Sequence, residues 1–242
     1  MPSASLPKNW LRSLRLRKQR GRGIAPHRTA KASNRTCGLW YYKEMIAVDI
    51  EGTGIDPHKA SILSIGAVDT DEPTAQFYDE CRIWDGAHIS DEALAVNGFT
   101  KEEATDPSKK SEAELITAFV AWAMDRPGNH TLLAQNVAFD GAFIRAAAGR
   151  AGIESTFAQR TIDVHTLAWT HMTLRGITPP EANHRSALNL DAVLHYCGIP
   201  DEPKPHNALT GALSHAEAFM RMAYTKNILP DFEMYEIPWK NT

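Results

Sequence analysis

The stretch MIAVDIEGTG, residues 45–54, decides the fold predicted for this chain. Its first half is an apolar run with β-branched residues, which is typical of a buried β-strand. The run ends in two acidic residues, Asp49 and Glu51, and a glycine-containing turn follows them. We therefore predict a strand over residues 45–51 that carries two carboxylates at its exit.

Two further strands are predicted directly after this one. Residues 61–69 (SILSIGAVD) form a second apolar run, and residues 74–84 (TAQFYDECRIW) show partial alternation of apolar and polar side chains. The DEP segment at 71–73 is a turn signal between them. Because the connections are short, we expect the first three strands to form an antiparallel meander.

Helices and strands alternate in the rest of the body. The predicted helices cover 111–124, with Ser111 and Glu114 as a capping box, and then 138–151, 186–198 with Ser186 as cap and Gly198 as stop, and 207–225. Short strands are predicted at 131–136 and at the start of 160–169. Strands that follow helices should pair in parallel. We predict an α/β fold with a mixed five-stranded sheet and helices on both faces.

The predicted domain organisation has three parts. Residues 1–44 hold eleven Lys or Arg residues and one acid, a charge of +10, so the remainder of the chain carries −13 within a net charge of −3. This segment lacks a core-forming pattern, and three interpretations stay open: a disordered basic arm that binds nucleic acid, an organelle transit peptide, or an over-long start ahead of Met45. Residues 45–225 form the predicted functional domain, and 226–242 a C-terminal extension.

Composition excludes several classes of protein. Hydrophobic residues make up 43% of the chain and charged residues 23%, the balance of a globular domain. No apolar stretch approaches the roughly 20 residues that cross a bilayer, and no apolar signal-peptide region occurs at the N-terminus. The cysteines Cys37, Cys81 and Cys197 are few and far apart. They indicate a reducing compartment, and we expect a cytoplasmic location.

The acidic pair at the end of the first strand could bind a metal ion. Residues two apart in a strand lie on the same face, so the Asp49 and Glu51 carboxylates should point the same way. Their charges repel, and a hard cation such as Mg²⁺ or Mn²⁺ would compensate them. The alternative is two solvated acids at the end of a strand.

Two later residues could complete such a site. Asp140 lies in the first turn of a predicted helix, where a carboxylate can stabilise the helix N-terminus or act as a third metal ligand. His206 follows two prolines ahead of the last helix. It could be a surface residue or a base that titrates near neutral pH. The position of each residue alone leaves both alternatives open.

Three motifs resemble, in order, those of the DEDDh 3′–5′ exonucleases, which include proofreading subunits of polymerases, ribonuclease T and oligoribonuclease. The three motifs are DIEGTG at 49–54, NVAFD at 136–140 and HNALTGA at 206–212. The segments SILSIGAV and NGFTKEEATD resemble the family as well, and the similarity extends over residues 45–225.

The resemblance implies an RNase H-like fold and a two-ion Mg²⁺ or Mn²⁺ site. Asp49 would bridge both ions, Glu51 would bind one ion and Asp140 the other, while His206 would be the general base. The resemblance also implies contacts with the terminal nucleotide by Thr53 and the backbone at Gly54.

Two further positions of the second motif, Asn136 and Phe139, would lie on the substrate side or support the ligands. For Phe139 packing in the core is the alternative.

One position departs from the family pattern. The third motif normally has an aspartate five residues after its histidine, and this chain has Gly211 there. Three carboxylates with extra water ligands could suffice, a nearby group could substitute, or activity could be reduced. His215 lies one turn further on the same helix but is a poor hard-oxygen ligand, and Glu217 should face elsewhere.

The function expected from the resemblance is metal-dependent 3′–5′ exonuclease activity on single-stranded or frayed DNA or RNA ends, with release of nucleoside 5′-monophosphates. The alternative is a weakened or inactive homologue that binds nucleic acid. We expect no membrane partner, and a homodimer stays open.

Overall fold

A five-stranded mixed sheet forms the centre of the protein. The computed structural model describes residues 45–127, 130–154 and 157–240. The basic segment 1–44 lies outside these residues, so its three interpretations stay predictions. The strands are β1 (Met45–Gly52), β2 (Ile62–Asp69), β3 (Gln76–Glu80), β4 (Thr131–Ala134) and β5 (Ile162–Asp163).

The strand pairing follows the predicted pattern. The order across the sheet is β3-β2-β1-β4-β5. β1 pairs antiparallel with β2, and β2 with β3, whereas β4 pairs parallel with β1 and with β5. The register of the first pair sets Asp49 opposite Gly66. The prediction of a mixed sheet with an antiparallel meander and later parallel strands is confirmed.

Seven helices and one small hairpin surround this sheet in the described residues. The helices are α1 (Asp91–Asn97), α2 (Lys101–Thr105), α3 (Glu112–Met124), α4 (Val137–Arg150), α5 (Val164–Leu174), α6 (Leu190–Tyr196) and α7 (Ala208–Tyr224). The hairpin is formed by β6 (Glu181–Ala182) and β7 (Arg185–Ser186), and a short 3₁₀ turn covers Pro230–Phe232.

Alternate residues of β1 pack on opposite faces of the sheet. Ile46 and Val48 join one apolar cluster, which includes residues of α3 and α4. Met45 and Ala47 join the other cluster, which includes residues of α5, α6 and α7. The predicted helices on both faces are therefore confirmed. Because side chains two apart share a face, Asp49 continues the second series and faces α7.

Side-chain caps explain where several helices begin. Ser111 and Glu114 form the predicted capping box at the start of α3. The side chain of Asn207 accepts hydrogen bonds from the backbone N–H groups of Leu209 and Thr210, which starts α7 as predicted. Both helices lie within one residue of their predicted bounds.

The prediction that Ser186 caps a helix was wrong. Ser186 belongs to β7, and its hydroxyl lies 2.8 Å from His165 Nε2. The helix begins later, at Leu190, where the Asn189 side chain accepts from Ala192 N. The predicted end of this helix at Gly198 agrees with the structure. Gly198 directly follows the helix C-cap and has φ 73°, a left-handed conformation that ends a helix.

The C-terminal residues pack against α7 through a buried ion pair. Arg221 and Glu217 are both fully buried, and Nε lies 2.8 Å from Oε1. Arg221 also donates to the carbonyls of Phe232 and Tyr235, while Glu217 Oε2 accepts from Leu229 N. Residues 228–236 are thus held on the domain by hydrogen bonds to the buried side chains of Arg221 and Glu217 rather than lying loose.

Two further observations bear on the expectations from composition. None of the described helices combines the length and the apolar character that crossing a membrane requires. Cys81 and Cys197 are both free and buried, whereas Cys37 lies outside the described residues.

Candidate active site

The two acids of the first motif lie at the end of β1, at the centre of the sheet. Glu51 is only 8% exposed, although it carries a carboxyl group. Asp49 lies two residues earlier on the same face, beside α7. Glu51 has thus been withdrawn from water beside a partly exposed Asp49, which argues against the alternative of two solvated acids.

Asp140 joins this pair from the neighbouring part of the fold. β4 runs parallel to β1, and the chain leaves β4 through Asn136 to enter α4, where Asp140 lies in the first turn. Asp140 is 3% exposed. Burial raises the pKa of the Asp140 carboxyl group, and the backbone N–H of Ile50, the residue between the two acids of β1, offsets part of this effect. The structure therefore brings together the three carboxylates that the motifs single out.

Crowding of these acids changes their protonation. Burial, followed by the charges of Asp140, Glu51 and Glu202, raises the pKa of Asp49 well above its usual range. Burial, followed by the charges of Glu202 and Asp140, raises the pKa of Glu51 to about 8. Burial raises the pKa of Asp140 to about 7. In the absence of a cation, these groups resist carrying their full negative charge together.

His206 lies just before α7 and is partly accessible. Its backbone N–H donates to the Val96 carbonyl at 3.2 Å, which connects this segment to α1. The side chain is 34% exposed, and its Nδ1 lies 3.7 Å from Glu202 Oε2. His206 also lines a cavity of about 270 Å³ together with Ser64, Tyr78, Asn97 and Asn207. It is neither fully exposed nor enclosed in the core, so it can reach a bound molecule.

The residue at the departing position, Gly211, lies directly against Asp49. A Cβ atom built on Gly211 would collide with the Asp49 carboxylate. His215, one turn further along α7, is buried and its Nδ1 lies 2.9 Å from the Val48 carbonyl. Glu217 is engaged with Arg221, as described above. Neither His215 nor Glu217 therefore replaces the missing aspartate.

Glu202 is a site residue that the sequence prediction missed. It is 4% exposed and lies in the segment ahead of α7, four residues before His206. Its Oε1 lies 2.8 Å from Thr210 Oγ1, and its charge contributes to the raised pKa values of Asp49 and Glu51. In the sequence, Glu202 is visible only as one of two acids in DEPKPH, close to the third motif. Such acids usually lie in solvent, so this position alone does not indicate a buried carboxyl group.

The residues predicted to contact substrate have different surroundings. The Thr53 hydroxyl is buried and donates to the His88 carbonyl at 2.6 Å while it accepts from Ser61 N at 2.9 Å. Gly54 follows it and lines a cavity of about 490 Å³. Thr53 therefore shapes the loop, and its backbone or the cavity beyond Gly54 is what a nucleotide could meet.

The two predicted positions of the second motif also differ from each other. Asn136 is exposed and has φ 58°, a left-handed conformation that asparagine tolerates, and it turns the chain from β4 into α4. Phe139 is partly buried against the core, with its ring centroid 4.9 Å from that of Phe143. The packing alternative for Phe139 thus accounts for much of its side chain.

The donor set suits a hard divalent cation. Asp49, Glu51, Asp140 and Glu202 offer carboxylate oxygens, the ligands that Mg²⁺ and Mn²⁺ prefer. Their mutual repulsion, seen in the raised pKa values of Asp49, Glu51 and Asp140, is what a cation would relieve. In the conformations that the described residues adopt, no three His, Cys, Asp or Glu side chains are arranged to hold a metal ion. Binding would therefore require side-chain rotation.

Comparison with known proteins identifies the family. The profile of the exonuclease family named RNase_T matches residues 46–219. A DNA polymerase III of the PolC type from Bacillus cereus is 26% identical over 163 residues, which is 64% of this chain and 10% of that protein. Ribonuclease T from Haemophilus influenzae is 28% identical over 123 residues, which is 45% of this chain and 52% of that protein.

Solved structures share the fold. The nuclease domain of 3'hExo, a DEDDh family member bound to rAMP, superposes with a TM-score of 0.59 at 17% identity, over 78% of this chain and 96% of that domain. Exonuclease I of E. coli in complex with a dT13 oligonucleotide has a TM-score of 0.58 at 18% identity, over 74% of this chain and 41% of that protein. These similarities establish the RNase H-like exonuclease architecture.

The family profile extends over most of the chain and contains all three motifs, whereas the sequence relatives are matched over about half of their length or less. The acids of these motifs meet at the end of β1, as described above. The chain belongs to the RNase_T exonuclease family, in agreement with the resemblance of its three motifs.

Proposed function

We propose that this protein is a divalent-metal-dependent 3′–5′ exonuclease that acts on single-stranded or frayed 3′ ends and releases nucleoside 5′-monophosphates. The observation that carries the proposal is the convergence of three carboxyl groups with raised pKa values, those of Asp49, Glu51 and Asp140, beside the partly accessible His206. Glu51 and Asp140 are nearly enclosed, and Asp49 is partly exposed.

Three residues would hold the ions. Asp49 and Glu51 would bind Mg²⁺ or Mn²⁺ from the end of β1. Asp140 would bind the ions from the first turn of α4. Two such ions supply activation of water and stabilisation of charge on the departing 3′ oxygen.

His206 would serve as the proton acceptor. Its Nδ1 faces the Glu202 carboxylate at 3.7 Å, which leaves Nε2 as the nitrogen that can take a proton from the attacking water. A histidine is suited to this task because its usual pKa lies near neutral pH.

The loop after β1 offers a surface for the terminal nucleotide. The cavity of about 490 Å³ beside Gly54 is lined mainly by apolar atoms, and Ile55 at its edge is 87% exposed. An exposed apolar side chain next to a carboxylate site suits a nucleobase, whose face can pack on it while the phosphate points toward the metal ions. Structural neighbours hold rAMP and oligonucleotides, which supports a substrate of this chemical class.

Paired oligonucleotide assays test this proposal. A 5′-labelled single strand should shorten stepwise in Mn²⁺, and a 3′-labelled strand should lose its label as a mononucleotide from the first time points. EDTA should stop both reactions. Label released first from the 5′ end, or equal cleavage in EDTA, would contradict the proposal. A cytoplasmic location and a homodimer remain predictions.

A second function is favoured by one observation, the glycine at position 211. A homologue with a weakened site could bind single strands without cleaving them. Such a module would bind with an affinity that falls as salt rises, and no divalent ion would produce shortening. Fluorescence anisotropy run beside the cleavage assay separates the two functions.

A further inference from the structure

We propose that Glu202 supplies the fourth carboxylate of the metal site, in place of the aspartate that Gly211 replaces. This inference rests on the proposed exonuclease function and names the residue that completes its site. The family motif takes this acid from the last helix, whereas here it would come from the segment that precedes α7.

Space beside Gly211 provides the first argument. A Cβ atom at this position would collide with the carboxylate of Asp49. The Asp49 side chain therefore occupies the volume that a side chain on α7 would need. An acid at residue 211 would require Asp49 to move away from α7, whereas an acid from the segment before α7 would not use this space.

The approach of Glu202 provides the second argument. Its Oε1 lies 2.8 Å from the hydroxyl of Thr210, the residue directly before Gly211. The same hydroxyl lies 2.8 Å from the Asn207 carbonyl, so it can donate to only one of the two at a time. Glu202 thus lies beside the same turn of α7 from which the missing aspartate would project.

The cost of burying Glu202 provides the third argument. A carboxylate that is 4% exposed needs a compensating partner. Among the described residues, the only ion pair of Glu202 is with His206, at 3.7 Å, and that histidine is charged only when protonated. No Lys or Arg in the described ranges contacts the group. A divalent cation would provide the missing positive charge.

A shared turn of the last helix supports the assignment. Glu202 contacts Thr210, and the next residue, Gly211, lies against the Asp49 carboxylate. The two acids therefore approach the same turn of α7. A glutamate is also one methylene longer than the aspartate it would replace, which extends its reach from a neighbouring segment.

Calorimetric titration of the full-length protein with Mn²⁺ tests the assignment. Glu202→Gln keeps the shape and an oxygen for Thr210 but removes the charge, and we expect the Mn²⁺ affinity to fall at least about tenfold. The matched control is Asp201→Asn, which removes the same charge one residue away, at a side chain that is 51% exposed. We expect that control to stay within about twofold of the unmodified protein.

Melting in EDTA checks that the variants fold. Glu202→Gln should melt no lower than the unmodified protein, because it relieves repulsion among buried acids. Glu202→Asp gives a second measurement, since it keeps the charge but withdraws it by one methylene, and it should also weaken Mn²⁺ binding.

Unchanged Mn²⁺ affinity in folded Glu202→Gln would overturn the assignment. The assignment is equally overturned if that variant binds Mn²⁺ normally but loses turnover with a shifted pH profile, since Glu202 would then act only by positioning His206. Absence of metal-dependent cleavage by the unmodified protein counts instead against the proposed function, so the two failures are distinguishable.

Discussion

The carboxylate of Asp49 lies against the backbone of Gly211, where a side chain on that residue would begin. This contact joins the first strand of the sheet to α7 at the candidate site. It also explains how the fold tolerates the glycine, because the Asp49 carboxylate occupies the space where a side chain of residue 211 would begin.

Replacing Gly211 with the aspartate of the family motif should destabilise the metal-free protein, because it places a second carboxyl group against Asp49. We expect Gly211→Asp to lower the melting temperature in EDTA, because it adds a further buried acid against Asp49. The Mn²⁺-dependent rise in melting temperature should be larger than in the unmodified protein, since a cation relieves more repulsion.

Gly211→Ala is the control for this variant, because it adds the Cβ atom without the charge. Thermal melts of both variants with and without Mn²⁺ make the comparison. Equal Mn²⁺-dependent shifts in the two variants would show that residue 211 is remote from the metal site.

Glu51 should be essential for cleavage but unfavourable for the metal-free fold. Its pKa is raised to about 8 from 4.5, so its contribution to stability is present at low pH and is lost as pH rises through about 8. Glu51→Gln should abolish cleavage, yet its melting temperature in EDTA should fall less between pH 6 and about pH 9 than that of the unmodified protein. A steeper fall in the variant would contradict this account of its burial.

His206→Gln should separate proton transfer from metal binding. We expect turnover to fall about 100-fold or more, as for loss of a general base. The Mn²⁺ affinity should change little, because His206 is not among the proposed ligands. Calorimetry and single-turnover cleavage on the same preparation test this pair of outcomes, and a parallel loss of Mn²⁺ binding would place His206 among the ligands instead.

His215 should make the protein sensitive to acid. Burial lowers its pKa to about 4 from 6.5, and the hydrogen bond of its ring with the Val48 carbonyl offsets only part of this shift. The unfolded chain therefore binds more protons between these values, and stability falls as pH drops from about 6.5 toward 4, by on the order of 3 kcal/mol.

The measurement for His215 is urea denaturation in EDTA at pH 7 and pH 5. His215→Asn keeps a donor for Val48 but does not titrate, so its stability relative to the unmodified protein should improve at the lower pH. The pH dependence contributed by the acids at the end of β1 has the opposite sign, and it cancels when the free energies of unfolding of the two proteins are subtracted. An unchanged difference would mean that His215 is already protonated in the folded protein.

The buried pair of Arg221 and Glu217 should stabilise the C-terminal residues. Arg221→Met leaves Glu217 buried without its partner and removes the bonds to the carbonyls of 232 and 235, so we expect a loss of about 3–5 kcal/mol in the free energy of unfolding. Lys101→Met, which breaks the exposed pair with Asp91, is the control and should leave the free energy of unfolding nearly unchanged. Urea denaturation of both variants tests the contrast.

Much of the fold follows from local patterns in the sequence. The runs at 45–51 and 61–69 are apolar and bounded by turns, and the capping box at Ser111 marks a helix start, so strand order and helix bounds could be predicted. The helices α1 and α2 have seven and five residues, too short to display a period. The hairpin β6–β7 has strands of only two residues.

Some residues of the candidate site could be predicted from local sequence, and one could not. Asp49, Glu51, Asp140 and His206 stand in motifs whose order carries information, and three of these four are carboxyl groups that the fold gathers. Glu202 stands in no motif. Its role depends on burial and on contact with Thr210 across a bend in the chain, and neither property is visible in local sequence.

The most direct test of the central claim is a crystal structure of the protein grown with Mn²⁺, with anomalous scattering used to locate the ions. We predict anomalous peaks between the carboxylates of Asp49, Glu51 and Asp140, with oxygen ligands at about 2.0–2.6 Å. Strong peaks elsewhere on the protein, and none beside Asp49, would contradict the claim.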